Sequence, residues 1–131
     1  MEMPVKMAYA PELYAAVTSS LYALFGSVGA AVQVAAVLSA AVLAYFSRRE
    51  PAFRLVASAA ALLAASILVW GVLVAPVNAE WARLVQASSE PLAGAYVRLR
   101  SRWEYGHVAA FVVWLLGYCA LQLGLLRERS V

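Results

Sequence analysis

Charged residues divide this chain into long apolar stretches. No Asp, Glu, Lys or Arg occurs at positions 13–46, 55–79 or 108–126. A helix needs about 20 apolar residues to cross a bilayer, so each stretch reads as a membrane helix. The first stretch is too long for one crossing and too short for two with a turn. It predicts one long helix over 9–47, broken or kinked near Gly26 and Gly29, with an interfacial first part and a spanning second part. Arg48, Arg49, Glu50 and Pro51 stop it, because Pro51 has no N–H to continue the helix. A second helix is expected over 52–76, ended or kinked by Pro76, followed by an interfacial segment over 79–88. Ser88, Ser89, Glu90 and Pro91 have the order of a helix start, serine as cap and proline in the first turn. The last helix then runs over 90–127, its first half outside the hydrocarbon. The expected fold is all-α: a single membrane domain over 1–131, built as a four-helix-bundle-like arrangement of three long helices and a short interfacial one.

Composition strengthens the membrane reading. Hydrophobic residues make up 65% of the chain and charged residues 13%, against about 45–50% and about 25% in soluble domains. A chain of 131 residues with three crossings has no room for a separate soluble catalytic domain. Lys6 ahead of the first stretch resembles a signal-peptide start, but the stretch is far longer than a signal sequence, which points to an uncleaved helix. The net charge of +3 comes from arginines beside the apolar stretches, where cytoplasmic flanks and lipid phosphates account for them, and no nucleic-acid role follows. Arg48, Arg49, Arg54, Arg127 and Arg129 place the 47–54 loop and the C-terminus in the cytoplasm by the positive-inside rule. The partners implied are membrane lipid and a hydrophobic small molecule, with a homo-oligomer or a membrane partner subunit left open.

Candidate chemistry collects at one face of the membrane. If the second and third helices cross in opposite directions, Asn78 at the end of one lies beside His107 at the start of the other. An unperturbed imidazole titrates near pH 6.5 or so, which suits proton transfer, and an amide can donate to a developing oxyanion. From His107 the last helix carries Phe111, Trp114, Tyr118 and Gln122 at steps of three and four, with Trp103 one turn before, so these side chains share a face. A neighbouring stripe of Gly106, Ala110, Gly117 and Gly124 suits close helix packing in lipid. Counted from the arginine flanks at about 1.5 Å per residue, Gln33 lies about 22 Å and His107 about 30 Å from the cytoplasmic end, in the same leaflet. An amide at that depth needs a partner, either a neighbouring helix or a ligand.

Other chemistries lack their residues. One histidine and one cysteine, Cys119, give no metal constellation, no disulfide framework and no redox cysteine pair, so Cys119 reads as a packing residue. Multidrug-exporter subunits of this size need a membrane-embedded carboxylate, and none lies in the uncharged stretches. Arg98, Arg100 and Arg102 read as a face toward solvent and lipid headgroups, with Arg100 and Glu104 able to pair at i+4.

Two stretches carry a resemblance: Ala75-Pro76-Val77-Asn78 closing one apolar run, and Arg102-Trp103-Glu104-Tyr105-Gly106-His107 opening the last. Together they resemble the anthrone-oxygenase-like family of small bacterial and fungal membrane proteins, whose P-x-N and W-x-x-x-H landmarks fall on Pro76, Asn78, Trp103 and His107. The resemblance covers 53–126. It implies oxidation of a planar polycyclic or quinol-like substrate by O2 without metal or other cofactor. In that scheme His107 is the base, Asn78, Gln33 or Trp103 the oxyanion donor, and Phe111, Trp114 and Tyr118 the aromatic walls. A non-catalytic lipid- or quinone-binding protein, or a structural subunit docked through the glycine stripe, are the alternatives.

Overall fold

The computed structural model of the protein describes residues 3–87 and 92–128. Helices follow in the order α1 (Met3–Lys6), α2 (Pro11–Phe46), α3 (Phe53–Leu73), α4 (Ala75–Ala87) and α5 (Leu92–Glu128), with a 3₁₀ turn, Ser47–Arg49, between α2 and α3. The fold is an all-helical bundle. Its stretches Phe25–Phe46, Phe53–Leu84 and Ala95–Arg127 are long and apolar enough to cross a membrane. Many of their large apolar side chains, including Val32, Leu38, Leu68, Val72 and Leu116, point outward. That is the surface a lipid-facing bundle requires.

Prolines set the helix ends. Pro11 opens α2, where a missing N–H costs nothing. At the other end Arg48 Nη1 donates to the Tyr45 carbonyl at 2.8 Å and its guanidinium lies 4.3 Å from the Tyr45 ring, satisfying an orphan acceptor of the last turn. α3 stops at Leu73, earlier than the sequence suggests, and Pro76 and Asn78 belong to the first turn of α4. Proline is tolerated there, whereas within a continuous helix its ring would press on the carbonyl four residues back. The expected interruption at Gly26 and Gly29 is not a break, since α2 is helical from end to end. Glycine weakens a helix by only about 1 kcal/mol, which does not interrupt it. The helix start expected at residues 88–91 lies outside the described residues, as does Arg129.

α5 packs on α3 along its length through the small residues. A Cβ placed on Gly106 would lie 2.8 Å from Val74, on Gly117 3.1 Å from Leu62 and Leu63, and on Gly124 3.0 Å from Val56. The glycine stripe is therefore covered by the chain's own helix, which leaves no such face for a docked subunit. Cys119 is exposed rather than packed, because it lies on the side of α5 away from this contact. Gly117→Leu should destabilise the protein by about 3 kcal/mol or more, since the contact there includes the Leu63 backbone and cannot relax by rotamer change. The check is thermal unfolding in detergent micelles; a midpoint equal to wild type would mean the α3–α5 contact is not close.

α2 is held at two levels. Near one end Ala44 joins Ala52 and Val56, supported by Leu43 and Leu121. Near the other, Tyr14 is fully buried in an aromatic cluster with Trp81, Tyr96 and Trp103. Between these contacts the middle of α2 is mostly exposed, and a cavity separates it from α4 and α5.

Candidate functional site

The cavity is partly open and has a volume of about 1080 Å³, and Gln33, Asn78, Trp103, His107, Phe111 and Trp114 are among its lining residues. Four elements build it. The middle of α2 forms one wall, the ends of α3 and the start of α4 form the roof, and the aromatic face of α5 forms the other wall. The lining extends along α2 no further than Ala36, since α2 closes on its neighbours at the buried Ala40.

Trp103 organises the polar corner. Its indole Nε1 donates to Asn78 Oδ1 at 2.8 Å. An indole N–H can only donate, so the amide must present its oxygen to Trp103, and the Asn78 Nδ2 hydrogens remain for another acceptor. His107 Nδ1 lies 2.8 Å from the Trp103 carbonyl oxygen. A carbonyl can only accept, so Nδ1 carries the proton, and in the neutral ring Nε2 keeps its lone pair. The His107 and Trp103 rings are 4.0 Å apart between centroids, tilted by 48°. One residue thus orients both neighbours, leaving an amide donor and an imidazole acceptor in the same cavity. The indole itself is engaged, so among the oxyanion donors suggested by sequence Trp103 is a holder rather than a free donor.

Gln33 is tied across the helices. Its Nε2 donates to Ser66 Oγ at 3.4 Å, and the fully buried Ser66 passes its own proton to the Leu63 carbonyl at 2.7 Å. The Gln33 carbonyl oxygen remains as an acceptor within the cavity lining. Phe111 and Trp114 stack with ring centroids 6.4 Å apart, and Trp114 and Tyr118 lie nearly parallel at 5.7 Å. Tyr118, read from sequence as a wall of the site, stands behind Trp114 and is not among the lining residues. The stripe on α5 continues beyond the level at which α2 closes the cavity, so its last rings face outward. Gln122 is likewise exposed.

A second set of residues supports this corner. Lys6 Nζ is 3.1 Å from Glu104 Oε1, with both side chains buried, and Tyr14 donates its hydroxyl to the same oxygen at 3.2 Å. The Lys6 ammonium also lies 4.3 Å from the Trp103 ring centroid, a cation–π contact in a desolvated setting. Burial, and next the Glu104 charge, hold the Tyr14 phenol well above its ordinary pKa, so it remains a donor. One turn away on α5, Arg100 Nη1 donates to the Met7 carbonyl at 2.8 Å and to Tyr96 Oη at 3.0 Å, while Tyr96 donates to the Tyr9 carbonyl at 3.0 Å. Arg100 therefore binds the N-terminal segment and does not pair with Glu104 at i+4. Of the three arginines read as a headgroup-facing set, Arg98 makes an exposed ion pair with Glu80 at 2.7 Å and Arg102 is exposed, whereas Arg100 is half-buried. Tyr96, Arg100 and Glu104 recur every four residues on α5, and that face straps down the segment ahead of α2.

Among the described residues, no three of His, Cys, Asp and Glu gather into a metal-binding group. Comparison with protein-family models, with curated proteins and with solved structures finds no match to this chain.

Proposed function

We propose that this protein is a membrane-embedded, anthrone-oxygenase-like enzyme that binds a flat hydrophobic substrate in the cavity and oxidises an activated methylene with O2, using no cofactor. The single observation that carries the reading is the Trp103 corner, where a fixed amide donor from Asn78 and a fixed imidazole acceptor from His107 share one cavity. In the proposed reaction His107 Nε2 removes a proton from a methylene flanked by aromatic rings, and Asn78 Nδ2 donates to the enolate oxygen. The carbanion gives one electron to O2, and the radical pair collapses to a peroxide anion, which takes the proton back from His107. Removal of the second methylene proton, with cleavage of the O–O bond, yields the ketone and water. One methylene and one O2 thus give one carbonyl and one water, and the protein supplies a base, a donor and an apolar enclosure. Phe111 and Trp114 provide the ring-stacking wall. In this reading the chain sits in a bacterial inner membrane with the 47–54 loop and C-terminus cytoplasmic, and the substrate comes from the lipid phase.

The test is oxygen uptake by the purified protein in lipid nanodiscs supplied with anthrone, with anthraquinone measured as product. Equal amounts of O2 consumed and anthraquinone formed, above the uncatalysed rate, are expected. Tight binding of the tricycle with no uptake would instead mean a ligand-holding protein without chemistry. Gly29→Leu gives a second handle. A Cβ at Gly29 meets nothing within 4 Å, so a leucine extends into the cavity without disturbing the helix. Turnover should fall by about tenfold or more as the substrate's space is taken, with a melting temperature equal to or slightly above that of the wild type. Full activity in this variant would place the substrate elsewhere.

A further inference from the structure

Two buried polar atoms in the cavity wall have no hydrogen-bond partner: Thr18 Oγ1 and Trp81 Nε1. Both residues line the cavity. Trp81 is only 8% exposed. An indole N–H shut away from water without an acceptor is disfavoured, and native structures rarely leave one unpaired. Thr18 is anomalous in a second way. Ser20, Ser58, Ser66 and Ser101 all return their hydroxyl protons to a backbone carbonyl of the preceding turn, the usual refuge of a hydroxyl in a helix. Thr18 does not. The third orphan, Arg100 Nε, belongs to the strap over the N-terminal segment and not to the cavity lining.

Thr18 and Trp81 close the same end of the cavity. Thr18 stands one turn beyond Tyr14 on α2, and the Tyr14 ring is 6.2 Å from the Trp81 ring. On α4, Trp81 follows Asn78 by three residues, which puts both side chains on one face, about 4.5 Å apart along the axis. α4 therefore presents a column of two donors toward the cavity side, the Asn78 amide and then the Trp81 indole. A hydroxyl and an indole N–H together complement an acceptor oxygen.

We propose that the Thr18–Trp81 end is a second polar subsite, which receives a carbonyl or phenolic oxygen of the same flat ligand whose first oxygen meets Asn78. This rests on the reading of the cavity as a ligand site and adds a preference for molecules oxygenated at two positions, such as the anthraquinone product. The two orphan atoms lie within the wall, so the oxygen is received between α2 and α4 as Thr18 turns about its Cα–Cβ bond.

The experiment measures binding to the nanodisc-reconstituted protein by quenching of tryptophan fluorescence, with three probes of one ring outline: anthraquinone with two oxygens, anthrone under argon with one, and anthracene with none. Thr18→Val keeps shape and removes the polar atom, whereas Trp81→Phe removes the indole N–H together with part of the ring. Each should weaken anthraquinone by about tenfold more than it weakens anthracene, the worth of one buried hydrogen bond. Thr18→Ser, which restores the hydroxyl, should recover wild-type affinity. Equal affinity of wild type and both variants for anthraquinone would overturn the subsite while leaving the cavity reading intact. An equal loss for anthracene would also overturn it, since it would assign the two side chains to packing. Failure of the wild type to bind any of the three would remove the subsite together with the proposed function. Should Trp81→Phe not fold, the Thr18→Val and Thr18→Ser pair decides the question alone.

Discussion

His107→Gln is expected to lower anthrone-dependent oxygen uptake by about 10²–10⁴-fold, the usual worth of a positioned general base. Glutamine can still reach neighbouring polar groups but cannot accept a proton near neutral pH. Because the imidazole is held through Nδ1 on the Trp103 carbonyl, 2.8 Å away, its loss leaves the Trp103–Asn78 bond in place. Binding of anthraquinone should therefore change only a few-fold while turnover collapses. That split separates chemistry from structure. His107→Ala also removes the side-chain bulk against the Trp103 ring, which glutamine partly replaces, so its binding loss should exceed that of the glutamine variant. Unchanged turnover in both would remove His107 from the mechanism.

Legibility from sequence differed between parts of the molecule for physical reasons. The three spanning stretches were readable because a charge inside hydrocarbon is strongly disfavoured, so that an uncharged apolar run of about 20 residues marks a crossing. The meeting of Asn78 and His107 followed from alternating crossings alone, which return the end of one helix to the level of the next. Local detail was harder. Pro76 signals a helix boundary, yet whether it ends α3 or opens α4 depends on the single residue Val74 between them. The aromatic stripe on α5 was visible, but where it stops facing the cavity depends on the level at which α2 closes at Ala40, a contact that no periodicity in α5 encodes. The roles of Trp103 were also hidden, since hydrogen-bond direction requires coordinates.

The Lys6–Glu104 pair is not legible in the sequence. A helix rule based on i, i+4 spacing offered Arg100 to Glu104, and the fold gives that carboxylate to residues far away in sequence. Both kinds of contact are electrostatic, but an exposed i+4 pair is worth only about 0.3–0.5 kcal/mol. Enclosed against Tyr14 and Trp103, the carboxylate is served better by a desolvated ammonium and a phenol. What the sequence did carry was the recurrence of Tyr96, Arg100 and Glu104 on one face of α5. Its partner, the segment ahead of α2, was not deducible from any repeat.

Glu104→Ala should be the most destabilising single change at this end of the molecule, by about 3–5 kcal/mol, because it removes the buried carboxylate that faces the Lys6 ammonium at 3.1 Å and accepts from Tyr14. Lys6 is only 5% exposed, so water cannot take over the role. The double change of Lys6→Met with Glu104→Gln should recover most of that loss. Methionine fills the stem's space over Trp103, and glutamine still accepts from Tyr14. Unfolding midpoints of Lys6→Met, Glu104→Gln and the double variant in detergent supply the cycle. Stability alone would make the pair a mere clamp, so the same proteins should also be assayed for turnover. If Lys6 steadies the Trp103 ring from 4.3 Å, the refolded double variant will bind anthraquinone yet turn over anthrone more slowly, since Asn78 and His107 are then oriented by an indole with one face unsupported. A double variant with wild-type turnover would confine the ion pair to holding down the N-terminal segment. A Glu104→Ala loss below about 1 kcal/mol would mean that the pair is solvated and does not brace the site at all.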